Sequence, residues 1–60
     1  QLVESYTIVE QHGGLVNAKS SLNRSRSALM TNTYFGAMLA NVTNNCIRLE
    51  KAIADVELCQ

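Results

Sequence analysis

From Phe35 onward, apolar residues return at alternating spacings of four and three: Phe35, Leu39, Val42, Cys46, Leu49, Ile53 and Val56. A mean period of about 3.5 residues keeps these side chains on one face of an α-helix, as in the seam of a coiled coil or helical bundle. A strand would need alternation with a period of two. An earlier series, Leu15, Leu22 and Leu29, returns every seven residues, with Ala18 and Ser25 between its members. The two series meet through Asn32 with spacings of three and three, one residue short of a continuous heptad. Such a slip overwinds a coiled coil locally or marks a turn.

The predicted fold class is therefore all-α, with all sixty residues forming a single helical module. Residues 1–12 read as a short helix, although Tyr6-Thr7-Ile8-Val9 also suits a strand by residue type. Gly13-Gly14 breaks that segment, since each mid-helix glycine costs about 1 kcal/mol relative to alanine. Residues 15–60 then read as one long amphipathic helix, or as a hairpin of helices 15–30 and 34–58 folded about Asn32. The slip itself contains neither Gly nor Pro, which favours the continuous helix. At 1.5 Å per residue its run from about Leu15 to Leu58 would be about 65 Å. Thr31, Asn32 and Thr33 are all good N-cap residues, which supports the hairpin.

A chain this short buries only about 60% of its unfolded surface, so a core of its own is marginal. Disulfides, a metal or a partner chain commonly make up the deficit. Two cysteines allow at most one internal bridge. On one helix Cys46 and Cys59 would stand about 20 Å apart, too far for it. A bridge through Cys59 to another chain remains open. The single His and the two Cys show no metal-ligand spacing, so no metal and no cofactor are expected. Asn, Ser and Thr number fifteen, and such poor helix formers need tertiary packing to stay helical. These limits leave a protein partner, or a longer protein, as the source of support. The start at Gln1 rather than Met suggests processing or excision from a longer chain, with any secretory leader absent or removed.

Few residues suggest chemistry. The stretch His12 to Ser20, "HGGLVNAKS", lies one residue from a phosphate-binding loop, with Ala18 where the second glycine belongs. That Cβ would intrude where backbone N–H groups must converge, and one ambiguous strand cannot supply the parallel sheet such loops need. His12 has no acid or nucleophile at useful spacing. Glu50, Asp55 and Glu57 read as a solvated helix face, with Lys51 and Asp55 paired four residues apart. Lys19, Arg24 and Arg26 form a basic cluster without aromatic residues for base stacking, so nucleic acid is not the favoured partner. In an antiparallel helix pair crossing near Met38, Arg26 would stand level with Glu50 and Lys19 with Glu57. Gly36, Ala37 and Ala40 would lie near that crossing. Asn23-Arg-Ser and Asn41-Val-Thr match the N-glycosylation acceptor pattern, which matters only in a secreted chain.

The zero formal charge calls for neither nucleic acid nor an anionic membrane, and no apolar run approaches the roughly 20 residues of a bilayer span. The sequence thus predicts a non-enzymatic assembly module, joining a coiled coil or bundle with itself or a partner subunit. No catalytic residue and no small-molecule substrate are assigned. The predicted interface is Leu22, Leu29, Asn32, Phe35, Leu39, Val42, Cys46, Leu49, Ile53 and Val56, with Asn32 setting register. The alternative is a helical piece of a larger or processed, secreted protein whose active site lies elsewhere.

Overall fold

The computed structural model describes residues 2–31 and 35–59. Among them are three helices, α1 (Leu2–Gln11), α2 (Leu15–Met30) and α3 (Gly36–Leu58), and no strand. The all-α prediction stands, and the ambiguous N-terminal segment is helical. The continuous helix does not form. Residues 15–58 make two helices that fold back on each other, as the hairpin reading has it. The reason is coverage: one rod would leave the whole apolar seam in water, whereas folding back covers much of it with the chain's own residues.

The turn between α1 and α2 is built by its glycines. Gly14 N–H donates to the Val9 carbonyl at 3.1 Å and Gly13 N–H to the Glu10 carbonyl at 2.9 Å. This pair of bonds is a Schellman motif, which satisfies carbonyls left over at a helix end. It needs left-handed backbone, and Gly13 and Gly14 have φ values of 89° and 105°. Asn17 Nδ2 then donates to the Gly13 carbonyl at 2.9 Å, fixing the start of α2.

At the other end of α2, Thr31 is the C-cap rather than an N-cap. Its hydroxyl donates back to the Ala28 carbonyl at 3.0 Å. Phe35, in extended backbone, precedes α3 as its N-cap without a side-chain cap. The proposed caps Asn32 and Thr33 lie outside the described residues.

α3 is the central element. Its 23 residues account for the 35 Å length of the molecule. Both α1 and α2 pack on α3, and they touch each other little. The core is Val9 from α1, Ala18 and Leu22 from α2, and Cys46, Leu49, Ala52, Ile53 and Val56 from α3. Ile8, Leu15, Leu29 and Val42 pack at its edge. Ala18 is fully buried and Ala52 is 1% exposed, so the helices come together on small side chains.

Both packed helices run antiparallel to α3. Ser5 Oγ donates to Asp55 Oδ2 at 2.7 Å. At the far end of α1, Gln11 and His12 share a groove with Asn45 and Cys46. On α2, Lys19 Nζ lies 2.6 Å from Glu57 Oε2, and Arg26 pairs with Glu50.

Candidate functional site

The two ion pairs fix the level of α2 along α3. Arg26 is opposite Glu50, and only four residues of α2 follow it. In antiparallel register α2 therefore ends about level with Cys46. α1 ends at about the same level, where Gln11 and His12 line one groove with Asn45 and Cys46. The first nine residues of α3, 36–44, extend past both neighbours by about 14 Å. Of these nine only Val42 is partly covered; the rest are exposed.

This overhang carries large apolar side chains. Phe35 is 79% exposed, Met38 61% and Leu39 38%, and Met30 at the end of α2 is 85% exposed. Phe35 and Leu39 continue the same seam whose later members are buried. The overhang also carries no charge. From Ser27 to Ile47, 21 residues, the sequence has no Asp, Glu, Lys, Arg or His. At the opposite end Val3, Val16 and Leu58 are also exposed, but Glu4, Lys19 and Glu57 stand among them in sequence.

The structure divides the sequence-predicted interface in three. Leu22, Cys46, Leu49, Ile53 and Val56 are buried within the one chain. Leu29 and Val42 sit at the core's edge. Phe35 and Leu39 face solvent, and Asn32 lies outside the described residues. The Arg26–Glu50 and Lys19–Glu57 matches occur, but inside a single hairpin rather than between two chains. Met38, which is off the four-three seam, joins the exposed set because neither α1 nor α2 reaches the overhang. Its signal in the sequence is the charge-free run around it.

The residues weighed for chemistry have ordinary settings. Ala18 and Lys19 lie within α2, so the near-match to a phosphate loop is helix, with Ala18 buried and Lys19 paired to Glu57. His12 Nδ1–H donates to the Ile8 carbonyl at 2.9 Å. An open groove of about 290 Å³ runs between α1, α2 and α3, lined by His12, Ser21, Ser25, Asn45 and Arg48 among others. A second, of about 190 Å³, has Glu4, Ser5, Arg48, Lys51 and Asp55 on its walls. Cys46 is buried and Cys59 exposed, both as free thiols. Among the described residues no three His, Cys, Asp or Glu side chains are grouped to hold a metal ion. Among the same residues no helix is long and apolar enough to cross a membrane. No protein-family model matches the chain, and no curated protein or solved structure compared with it is similar.

Proposed function

We propose that this chain is a non-enzymatic helical assembly module that associates through the overhanging end of α3. The observation that supports this is the exposed cluster of Phe35, Met38 and Leu39, of which Phe35 and Leu39 carry the chain's own core seam outward. Two measures of shape agree with an uncovered surface. The accessible area is 4343 Å², whereas a folded monomer of 6.6 kDa exposes about 3,900 Å² by the usual scaling. The radius of gyration is 11.9 Å, against about 10.4 Å for a compact domain of sixty residues. Contiguous apolar surface of this kind marks interaction sites on small proteins.

The internal core changes what association has to supply. The chain covers the later seam itself, so a partner contributes only to the first turns of α3. This is docking of a formed hairpin rather than coupled folding of a bare helix.

Photocrosslinking in the cells that make the protein tests the reading. Met38→p-benzoylphenylalanine should give protein adducts, and Val16→p-benzoylphenylalanine, at the other end, should give few or none. Absence of any protein adduct from Met38 overturns the proposal.

A further inference from the structure

We propose that the groove between α1, α2 and α3 binds a small phosphate-bearing ligand, held by the guanidinium groups of Arg48 and Arg24 and the hydroxyls of Ser21 and Ser25. The site is separate from the overhang and uses none of residues 36–44.

The sign of the groove is the first support. Five acids and five bases balance over the chain, but not locally. Lys19 and Arg26 of α2 are met by Glu57 and Glu50. Arg24 is not: its Nη2 donates to Ser21 Oγ at 3.2 Å, which sets its charge at the rim of the groove that Ser21 lines. Arg48 of α3 lines the same groove. Among the described residues neither Arg24 nor Arg48 belongs to an ion pair, and no Asp or Glu lines this groove. Arg48 also borders the second groove, whose acids are Glu4 and Asp55. Those acids have Lys51 on the same walls, and Asp55 already accepts from Ser5. Two guanidinium groups from two helices thus flank a groove without a counter-charge of its own.

The donor set is the second support. Ser21 Oγ accepts from Arg24, so its own O–H is free to donate to a ligand. Ser25, one turn later on α2, and Asn45 of α3 line the groove as well. His12 Nδ1–H is tied to the Ile8 carbonyl, which leaves Nε2 for the ligand. Guanidinium N–H groups match phosphate oxygens two at a time. A carboxylate offers two oxygens in one plane, which a single guanidinium satisfies. Donors arriving from α2, α3 and the end of α1 suit the tetrahedral oxygens of a phosphate.

Size and setting are the third. The groove holds about 290 Å³, near the lower end of small-ligand clefts, about 300–1,000 Å³. Cys46 and Leu49 are buried beneath it and Ile8 is half-buried at its side. Such an apolar floor strengthens the charge contacts above it relative to open water.

The test is an NMR titration of the isotope-labelled whole chain with phenyl phosphate, inorganic phosphate and acetate at constant ionic strength. Both phosphates should shift the amides of Ser21, Ser25 and Asn45 and the Arg48 Nε–H saturably, with a dissociation constant of about a millimolar or tighter. Arg48→Gln and Arg24→Gln should each weaken binding about fivefold or more with helicity unchanged, since both side chains are exposed. Lys51→Gln, in the second groove, should change it by less than about twofold. Tighter binding of phenyl phosphate identifies a phosphate ester as the ligand, and equal binding identifies free phosphate; either supports the site. Shifts that never saturate, the mark of an adventitious ion only, overturn the proposal. So does acetate binding as tightly as phosphate, or Lys51→Gln weakening binding as much as Arg48→Gln.

Discussion

Ser5, near the start of α1, donates a 2.7 Å hydrogen bond to Asp55, fifty residues later near the end of α3. Ser5 is 5% exposed, the sole polar member of the buried set among the described residues. The bond holds α1 along the later turns of α3, so that α1 does not reach residues 36–44. Hydrogen bonds to charged groups contribute about 1.5–3 kcal/mol. Ser5→Ala should destabilise the chain by about 1–2 kcal/mol, and Ser5→Thr by less if the hydroxyl keeps its direction. Urea unfolding followed by circular dichroism reads both.

Ile53 and Ile47 separate core from surface within one helix. Ile53 is 6% exposed and Ile47 62%. Ile53→Ala should cost about 2–4 kcal/mol through lost burial and the cavity left behind. Total stability at this length is about 3–9 kcal/mol, so that variant should lose a large share of it and unfold at a much lower urea concentration. Ile47→Ala should shift the urea midpoint hardly at all. Equal effects from the two would show that the burial pattern along α3 is rotated from the one described.

The four-three series gave the helical class and the face of α3 because it states a period directly. It picks out Cys46, Leu49, Ile53 and Val56 as a set, and the structure buries all four. What covers that face was not written in the same signal. Arg26 and Glu50 are 24 residues apart, and their match fits two chains or one hairpin equally well until the path of the turn is known. The one-residue slip near Asn32 fits a turn or a local overwinding alike. The position of α1 was harder still. Ser5 and Asp55 carry no periodic signature, and α1 contributes only Val9 as a buried apolar side chain. The overhang follows from the three helix lengths and their register together, so residue types alone do not reveal it.

Gly14 has φ 105°, and a Cβ there would meet no atom within 4 Å. Any cost of Gly14→Ala is thus conformational, about 1–2 kcal/mol for an L-residue forced into left-handed backbone. Gly13→Ala adds a clash, because its Cβ would come within 2.8 Å of Asn17 Nδ2. Asn17 Nδ2 is the tip of a side chain that can give way, whereas Gly14, at φ 105° and ψ 175°, holds backbone that only glycine adopts readily, so Gly14→Ala should be the more destabilising of the two. D-alanine at position 14, placed by chemical synthesis, should restore most of the loss. Failure of that rescue would mean space rather than backbone angle is limiting.

The two cross-helix ion pairs should matter little to stability. Lys19 and Glu57 keep 49% and 45% of their side-chain surface in water, and Arg26 and Glu50 keep 51% and 59%. Exposed pairs of this kind contribute about 0.2–1 kcal/mol and weaken with salt. A double-mutant cycle on Lys19→Met and Glu57→Gln should give a coupling below about 1 kcal/mol, falling further in 1 M salt. Their service is register. Reversing one partner with Glu50→Arg sets like charges against each other, and restoring the match with Arg26→Glu should recover stability.

The two thiols should differ sharply in reactivity. Cys59, the exposed C-cap of α3, meets reagent freely, whereas Cys46 is 9% exposed within the core. A disulfide reagent should label one thiol per chain at once. The second should follow only as the helices open, because a reagent too large for the core needs local or global unfolding. Its rate should rise with urea well below the unfolding midpoint if α1 detaches first, since Ser5 and Val9 are the buried residues that seat it. If the Cys46 rate instead tracks only global unfolding, then α1 and the α2–α3 hairpin open as one cooperative unit. Ser5→Ala, by loosening α1 alone, distinguishes the two: it accelerates Cys46 labelling at low urea in the first case and leaves it tied to the global midpoint in the second.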